Sequence, residues 1–144
     1  MNEAGFIAIL CGMLLGGADE PRLDYVGSYD LLGEAQSNHA YIDCETDTHV
    51  IEVGLDKRSS LDSLQQAIFA SVHTGKQPKI IIIDRDGKVG RWETRIRTAA
   101  RAVGVEFERI SDDALIRTSM THWMRNYSPA ASGSSATRSV AAAD

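Results

Sequence analysis

Cysteine, proline, aromatic side chains and long apolar runs are all scarce in this chain. Among 144 residues there are two cysteines, three prolines and 6% aromatics. Two cysteines, Cys11 and Cys44, exclude a disulfide-rich scaffold and a four-cysteine zinc site. No apolar run reaches the roughly 18 residues of a membrane-spanning helix, which argues against a transmembrane protein. Basic residues are almost missing from the first part of the chain, where residues 1–56 hold Arg22 alone against eleven acids. A net charge of −5 argues against a generic cationic nucleic-acid coat.

What is present suits one soluble domain: 43% hydrophobic and 24% charged residues, in a chain long enough to bury a core. The charge reverses along the chain. Residues 57–125 hold thirteen Lys and Arg against eight acids. An acidic half beside a basic half suits carboxylates that hold a metal ion next to a surface that holds phosphates. The alternative is that folding mixes the two halves and no patch exists.

Residues 5–18, GFIAILCGMLLGGA, are apolar and uncharged. They read as a signal-peptide core, with Gly16 and Ala18 as the small residues before a cut at Asp19. That reading implies export, to a periplasm for instance. The n-region Met-Asn-Glu-Ala has no Lys or Arg. The alternatives are a buried N-terminal helix and a cytoplasmic protein. The divisions expected are 1–18 as signal or apolar helix, 19–127 as the domain, and 128–144 as a low-complexity, disordered tail.

Within the domain, Asp19 or Glu20 caps a helix with Pro21 at its first position and Gly33 past its end. Three strands follow, at Glu34–Ser37, Ala40–Glu45 and His49–Gly54, with turns at Asn38-His39 and Thr46–Thr48. Ser59 or Ser60 opens a helix whose inner face is Leu61, Leu64, Ile68 and Val72. Lys79–Asp84 contains IIII and reads as a central strand buried on both faces. A helix from Val89 to Val103 turns Val89, Trp92, Ile96, Ala99 and Val103 inward, and Gly104 stops it. Val105–Ile110 is a strand, and Asp112 or Asp113 opens a last helix to Arg125. The order is α-β-β-β-α-β-α-β-α, an α/β domain with a mixed sheet flanked by helices.

The chemistry-bearing stretch is 41–70, YIDCETDTHVIEVGLDKRSSLDSLQQAIFA. Asp43 and Glu52 each sit inside an otherwise apolar strand. Buried carboxylates are costly unless paired, hydrogen-bonded or bound to a cation. Adjacent antiparallel strands bring two of them side by side, an arrangement that suits Mg²⁺ or Mn²⁺.

This stretch resembles the PD-(D/E)XK nuclease-like superfamily, which includes Holliday-junction resolvases and restriction endonucleases. DCETDTHVIEVG, followed by DK and QQA, is closer still to small, uncharacterised bacterial members of it. The resemblance covers about Glu34–Asp84. It implies a restriction-endonuclease-like fold and a metal-dependent endonuclease acting on nucleic acid, DNA above all, as a monomer or homodimer. Asp43 and Glu52 match the motif acids and would hold the metal. Glu34 matches an acidic residue near the first helix as a further ligand. Gln66 or Gln65 matches the helix glutamine that orients the site. The superfamily's lysine two residues after the Glu is replaced here by Gly54. Lys57 is the nearest substitute, with Lys76 and Lys79 further off.

Arg91, Arg95 and Lys76 are candidates to hold substrate phosphates, although a solvated charged face explains the arginines equally well. His49, His39 and His73 read as structural or solvated, Cys44 as core, and the DRDGK run at 84–88 as a turn. Trp92 and Trp123 read as core. Two functions remain: a metal-dependent nuclease, or a catalytically degenerate module on the same fold that binds nucleic acid or a protein.

Overall fold

The computed structural model of the chain describes residues 1–125. The expected tail at 128–144 and the side chain of Trp123 lie outside the described set. Helix α1 (Glu3–Ala8) runs into a π-helical stretch, Ile9–Leu15. The strands are β1 (Ala18–Asp19), β2 (Arg22–Tyr29), β3 (Ala35–Tyr41), β4 (Cys44–Glu45) and β5 (His49–Leu55). A 3-10 turn at Arg58–Asp62 leads into α2 (Ser63–Thr74). Then come β6 (Gln77–Asp84), α3 (Arg91–Ala102), β7 (Glu106–Ser111) and α4 (Asp112–Arg125).

Five strands form one mixed sheet in the order β1-β4-β5-β6-β7. β1, β4 and β5 pair antiparallel, and β5, β6 and β7 pair parallel. The α/β class and the mixed sheet flanked by helices therefore stand. The four isoleucines of β6 explain its central place. Ile80 and Ile82 pack on Ala67 of α2 and on Ile96 and Ala100 of α3. Ile81 and Ile83 pack on the opposite face with Phe6, Leu10, Cys11 and Leu115. Successive parallel strands joined by crossovers of one hand place both crossover helices on the same face. The other face must be covered from outside the βαβ run. α1 with its π-helical extension and α4 cover it.

Residues 5–18 thus contribute core, with Phe6, Ile7, Ile9, Leu10 and Cys11 buried. Cys11 and Cys44, both fully buried, form a disulfide that ties this segment to β4. No helix among the described residues is long and apolar enough to cross a membrane.

Two expectations are corrected. Residues 21–33 are not a helix, and the element order therefore begins α-β-β-β-β-β. β2 and β3 form a separate antiparallel hairpin, in register from Arg22↔Tyr41 to Tyr29↔Ala35. Tyr25, Val26 and Tyr29 favour a strand, Gly27 disfavours a helix interior, and Leu23 and Tyr25 alternate inward. Gly33 has a left-handed φ of 78°, but it serves the hairpin turn. There the Asp30 carboxylate accepts hydrogen bonds from the Leu32 and Glu34 backbone N–H groups. Asn38 and His39 lie inside β3 and pair with Tyr25 and Asp24.

The second correction rotates two helices. α2 buries Ser63, Ala67 and Ala70, and leaves Ile68 and Val72 exposed. α3 buries Glu93, Ile96 and Ala100, and leaves Val89 and Val103 exposed. Small side chains let each helix approach the sheet closely. Trp92 is half-buried under the guanidinium groups of Arg91 and Arg95, 4.6 and 5.4 Å from its ring centre.

Candidate active site

β4 is only two residues long, so β5 runs past its end. The register Cys44↔Ile51 sets Asp43 opposite Glu52. Beyond β4 the Val53 backbone N–H has no ladder partner on that side. The Asp43 carboxylate accepts its hydrogen bond at 2.8 Å. Glu52 lies in the middle of β5 and is 3% exposed. Its carboxyl group and that of Asp43 hydrogen-bond to each other.

Two carboxyl groups can share a hydrogen bond only if one keeps its proton. Burial pushes the Glu52 carboxyl up to about 9, and the neighbouring Asp43 charge pushes in the same direction. Burial also raises Asp43, partly offset by the Val53 N–H, while the charges of Glu3 and Glu20 raise it further. Near neutral pH the pair holds a proton between two oxygens or takes a cation in its place.

Those oxygens could serve a divalent cation as two of its ligands, because they lie close together and both are short of positive charge. Among the described residues, no group of three or more His, Cys, Asp or Glu side chains is placed to hold a metal. An ion at the pair would complete its shell with water, backbone or substrate oxygens, as Mg²⁺ commonly does.

Glu52 also lines a cavity of about 360 Å³ between the β2–β3 hairpin and α2. Gln65 and Gln66 both line it, so the structure brings the expected glutamine to the expected glutamate and admits either residue. Tyr25, Tyr41 and Phe69 complete its wall.

Lys57 is directed to Glu3, with its Nζ 2.7 Å from the carboxylate. It meets the pair through Glu3, whose charge acts on Asp43. Gly54 has a steric reason. A Cβ there would lie 2.7 Å from Ser60 Oγ and 2.9 Å from Ser60 Cβ. Ser60 belongs to the turn that opens α2, and its hydroxyl accepts a hydrogen bond from the Leu55 N–H. No lysine fits at that position without moving the turn.

Three other expected site positions lie away from the pair. Glu34 stands at the exposed tip of the hairpin. It lies seven residues before Tyr41, about 23 Å at the usual strand rise, and cannot reach the pair. Lys76 is bound to Glu45 Oε1 at 2.8 Å and to the Thr46 carbonyl at 2.7 Å. It lines a different, open cleft of about 800 Å³ at the start of β5 and β6, where Lys79 is likewise paired, with Glu108. Arg91 and Arg95 stack on Trp92 and do not line the Glu52 cavity. Ion pairs such as Glu3–Lys57 and Glu45–Lys76 join the acidic and basic halves.

The histidines and the DRDGK run take ordinary roles. His49 bonds Thr48 Oγ1 and Glu106, 2.7 and 3.2 Å away. The Asp84 carboxylate accepts from the Asp86 and Gly87 N–H groups of a turn.

Sequence reasoning missed Glu3 and Glu20, because their closeness to Asp43 depends on where the N-terminal segment packs. It also missed the three aromatic residues of the cavity, one of which, Tyr25, lies in the segment expected to be a helix. The chain matches no family model, no curated protein and no solved structure.

Proposed function

We propose that the chain is a metal-dependent phosphodiesterase acting on nucleic acid, on a restriction-endonuclease-like α/β fold. The observation that carries this reading is the buried Asp43–Glu52 carboxyl pair at a cavity that Gln65 and Gln66 also line. Asp43 and Glu52 would hold Mg²⁺ or Mn²⁺, which when bound supplies a water of lowered pKa and stabilises charge on a phosphate. Glu52 would have to be ionised to hold the ion, since its protonated oxygen cannot serve as a carboxylate ligand. The Val53 N–H keeps Asp43 aimed at the site. The Gln66 or Gln65 amide orients the reacting groups. Lys57 offsets the charge of Glu3 and so limits the negative field on Asp43. The Cys11–Cys44 disulfide suits an oxidising compartment.

A second reading is favoured by Gly54. The turn at Ser60 leaves no room for the lysine of the superfamily pattern, so a degenerate domain that binds without cutting also fits.

The test is cleavage of labelled single-stranded, duplex and branched DNA and of RNA, with Mg²⁺, Mn²⁺ or EDTA. Cutting that needs the metal and is lost in a folded Glu52→Ala variant supports the enzyme. Cutting that survives in that variant removes this site. No cutting of any substrate by the folded wild type leaves the binding module.

A further inference from the structure

The Glu52 cavity is unusual in what surrounds the carboxyl group. Tyr25 and Tyr41 reach it from the hairpin, and Phe69 from α2. The Tyr25 and Phe69 rings meet edge to face, 4.9 Å apart. His73 lies 4.5 Å from Phe69, and His39 lies 5.6 Å from Tyr41, between ring centres. Tyr41 is 59% exposed, so much of its ring is open to solvent. Gln65 and Gln66 add amide donors and acceptors. An apolar groove lined by Leu64, Ile68 and Val72 shares Gln65 and Phe69 with the cavity and continues along α2.

Aromatic walls, amides able to pair with a heteroatom edge, and a volume of about 360 Å³ suit one planar heterocycle. Proteins read unpaired bases by stacking them on aromatic rings and hydrogen-bonding their edges. In a duplex those faces are covered by neighbouring base pairs and cannot enter the cavity. The hairpin itself carries Asp24, Asp30 and Glu34 against Arg22, which gives it little electrostatic hold on a duplex backbone.

We propose that the cavity between the β2–β3 hairpin and α2 receives an unstacked nucleobase, which makes single-stranded nucleic acid the substrate class. The proposal rests on the nuclease reading of the same site. Tyr41 is the specificity-determining residue at the rim, and Phe69 with Tyr25 forms the inner wall.

The experiment is fluorescence anisotropy of a short labelled DNA strand and of its blunt duplex, in Mg²⁺ at one salt concentration. The host is a Glu52→Gln variant, so that strands are not cut. The single strand is expected to bind more tightly than the duplex. Adding Tyr41→Ala is expected to weaken single-strand binding by about tenfold and to leave duplex binding unchanged, while Tyr41→Phe retains it. Tyr41 is exposed, so folding is not at stake, and circular dichroism checks this. Equal single-strand binding with and without Tyr41→Ala, or tighter duplex binding, overturns the proposal. Cleavage by the otherwise wild-type chain separates the two claims. Metal-dependent cutting that ignores Tyr41→Ala keeps the nuclease and discards the base pocket. Tyr41-dependent binding with no cutting keeps the pocket and discards the nuclease.

Discussion

Replacing Glu52 with glutamine removes an ionisable group from a buried site and keeps its shape. The folded wild type holds the Glu52 proton up to about 9, against 4.5 for the free group. Between those values the native state binds more protons than the unfolded state. Stability therefore falls as pH rises across that window, by about 1.4 kcal/mol per pH unit for this one group. From about pH 5 to about pH 8 the wild type is expected to lose about 4 kcal/mol that the Glu52→Gln variant keeps. At a urea slope near 2 kcal/mol per molar, this is a relative shift of about 2 M in the unfolding midpoint. Urea unfolding of both proteins at the two pH values, in EDTA, measures it directly. Titrating groups remote from the pair are common to both proteins and cancel in the difference, and Asp43, which senses Glu52, is the one that does not. The glutamine amide can still donate to Asp43, so the pair contact survives the change. Parallel pH profiles for the two proteins would refute the account of a protonated Glu52.

Three further outcomes follow from packing. Reduction of Cys11–Cys44, or their joint replacement by alanine, opens a link across a sequence separation of 33. It is expected to cost about 3 to 4 kcal/mol, read as a lower unfolding midpoint with reductant than without. Gly54→Ala places a methyl group 2.7 Å from Ser60 Oγ, and so does the first carbon of Gly54→Lys. Each is expected to cost about 1 to 3 kcal/mol in denaturant unfolding, with no gain in cleavage from the restored lysine. Arg109→Ala removes the guanidinium that holds Glu93 at 3.0 Å and Asp84 at 2.9 Å. Glu93 is 1% exposed, and its carboxyl is already raised by burial. Without the cation its folded pKa rises further. The cost, about 3 kcal/mol at neutral pH, is then present above the unfolded value and fades as pH falls toward it, as unfolding at both pH values will show.

The central sheet was legible because its strands announce themselves locally. The IIII run of β6 is buried on both faces, and Gly104 ends α3 with a left-handed φ of 74° before β7. The carboxyl pair was legible for a related reason. Asp43 and Glu52 flank a short turn and break apolar strands, so an antiparallel link brings them together. The hairpin was not legible, since Pro21 and Gly33 punctuate a helix and a hairpin equally well. The alternation of Leu23 and Tyr25 was the signal available, but the Gly27 irregularity in the register between Val26 and Ser28 interrupts it. Of the apolar stripes expected on α2 and α3, Leu61, Leu64 and Ile96 do pack on the core, but Ile68, Val72, Val89 and Val103 are exposed. Ala67, Ala70 and Ala100 face the sheet instead, where close approach favours small side chains. The disulfide and the Glu3–Lys57 pair were beyond reach because both depend on the N-terminal segment folding back across the sheet.

The most direct measurement is calorimetric titration of Mn²⁺ into the protein at about pH 7, repeated in buffers of different ionisation enthalpy. A cation that binds at the carboxyl pair must displace the proton held by Glu52. The account expects one bound ion, release of about one proton per ion, and loss of this binding in Glu52→Gln. Binding without proton release, or binding that persists unchanged in the variant, would place the ion elsewhere and contradict the account.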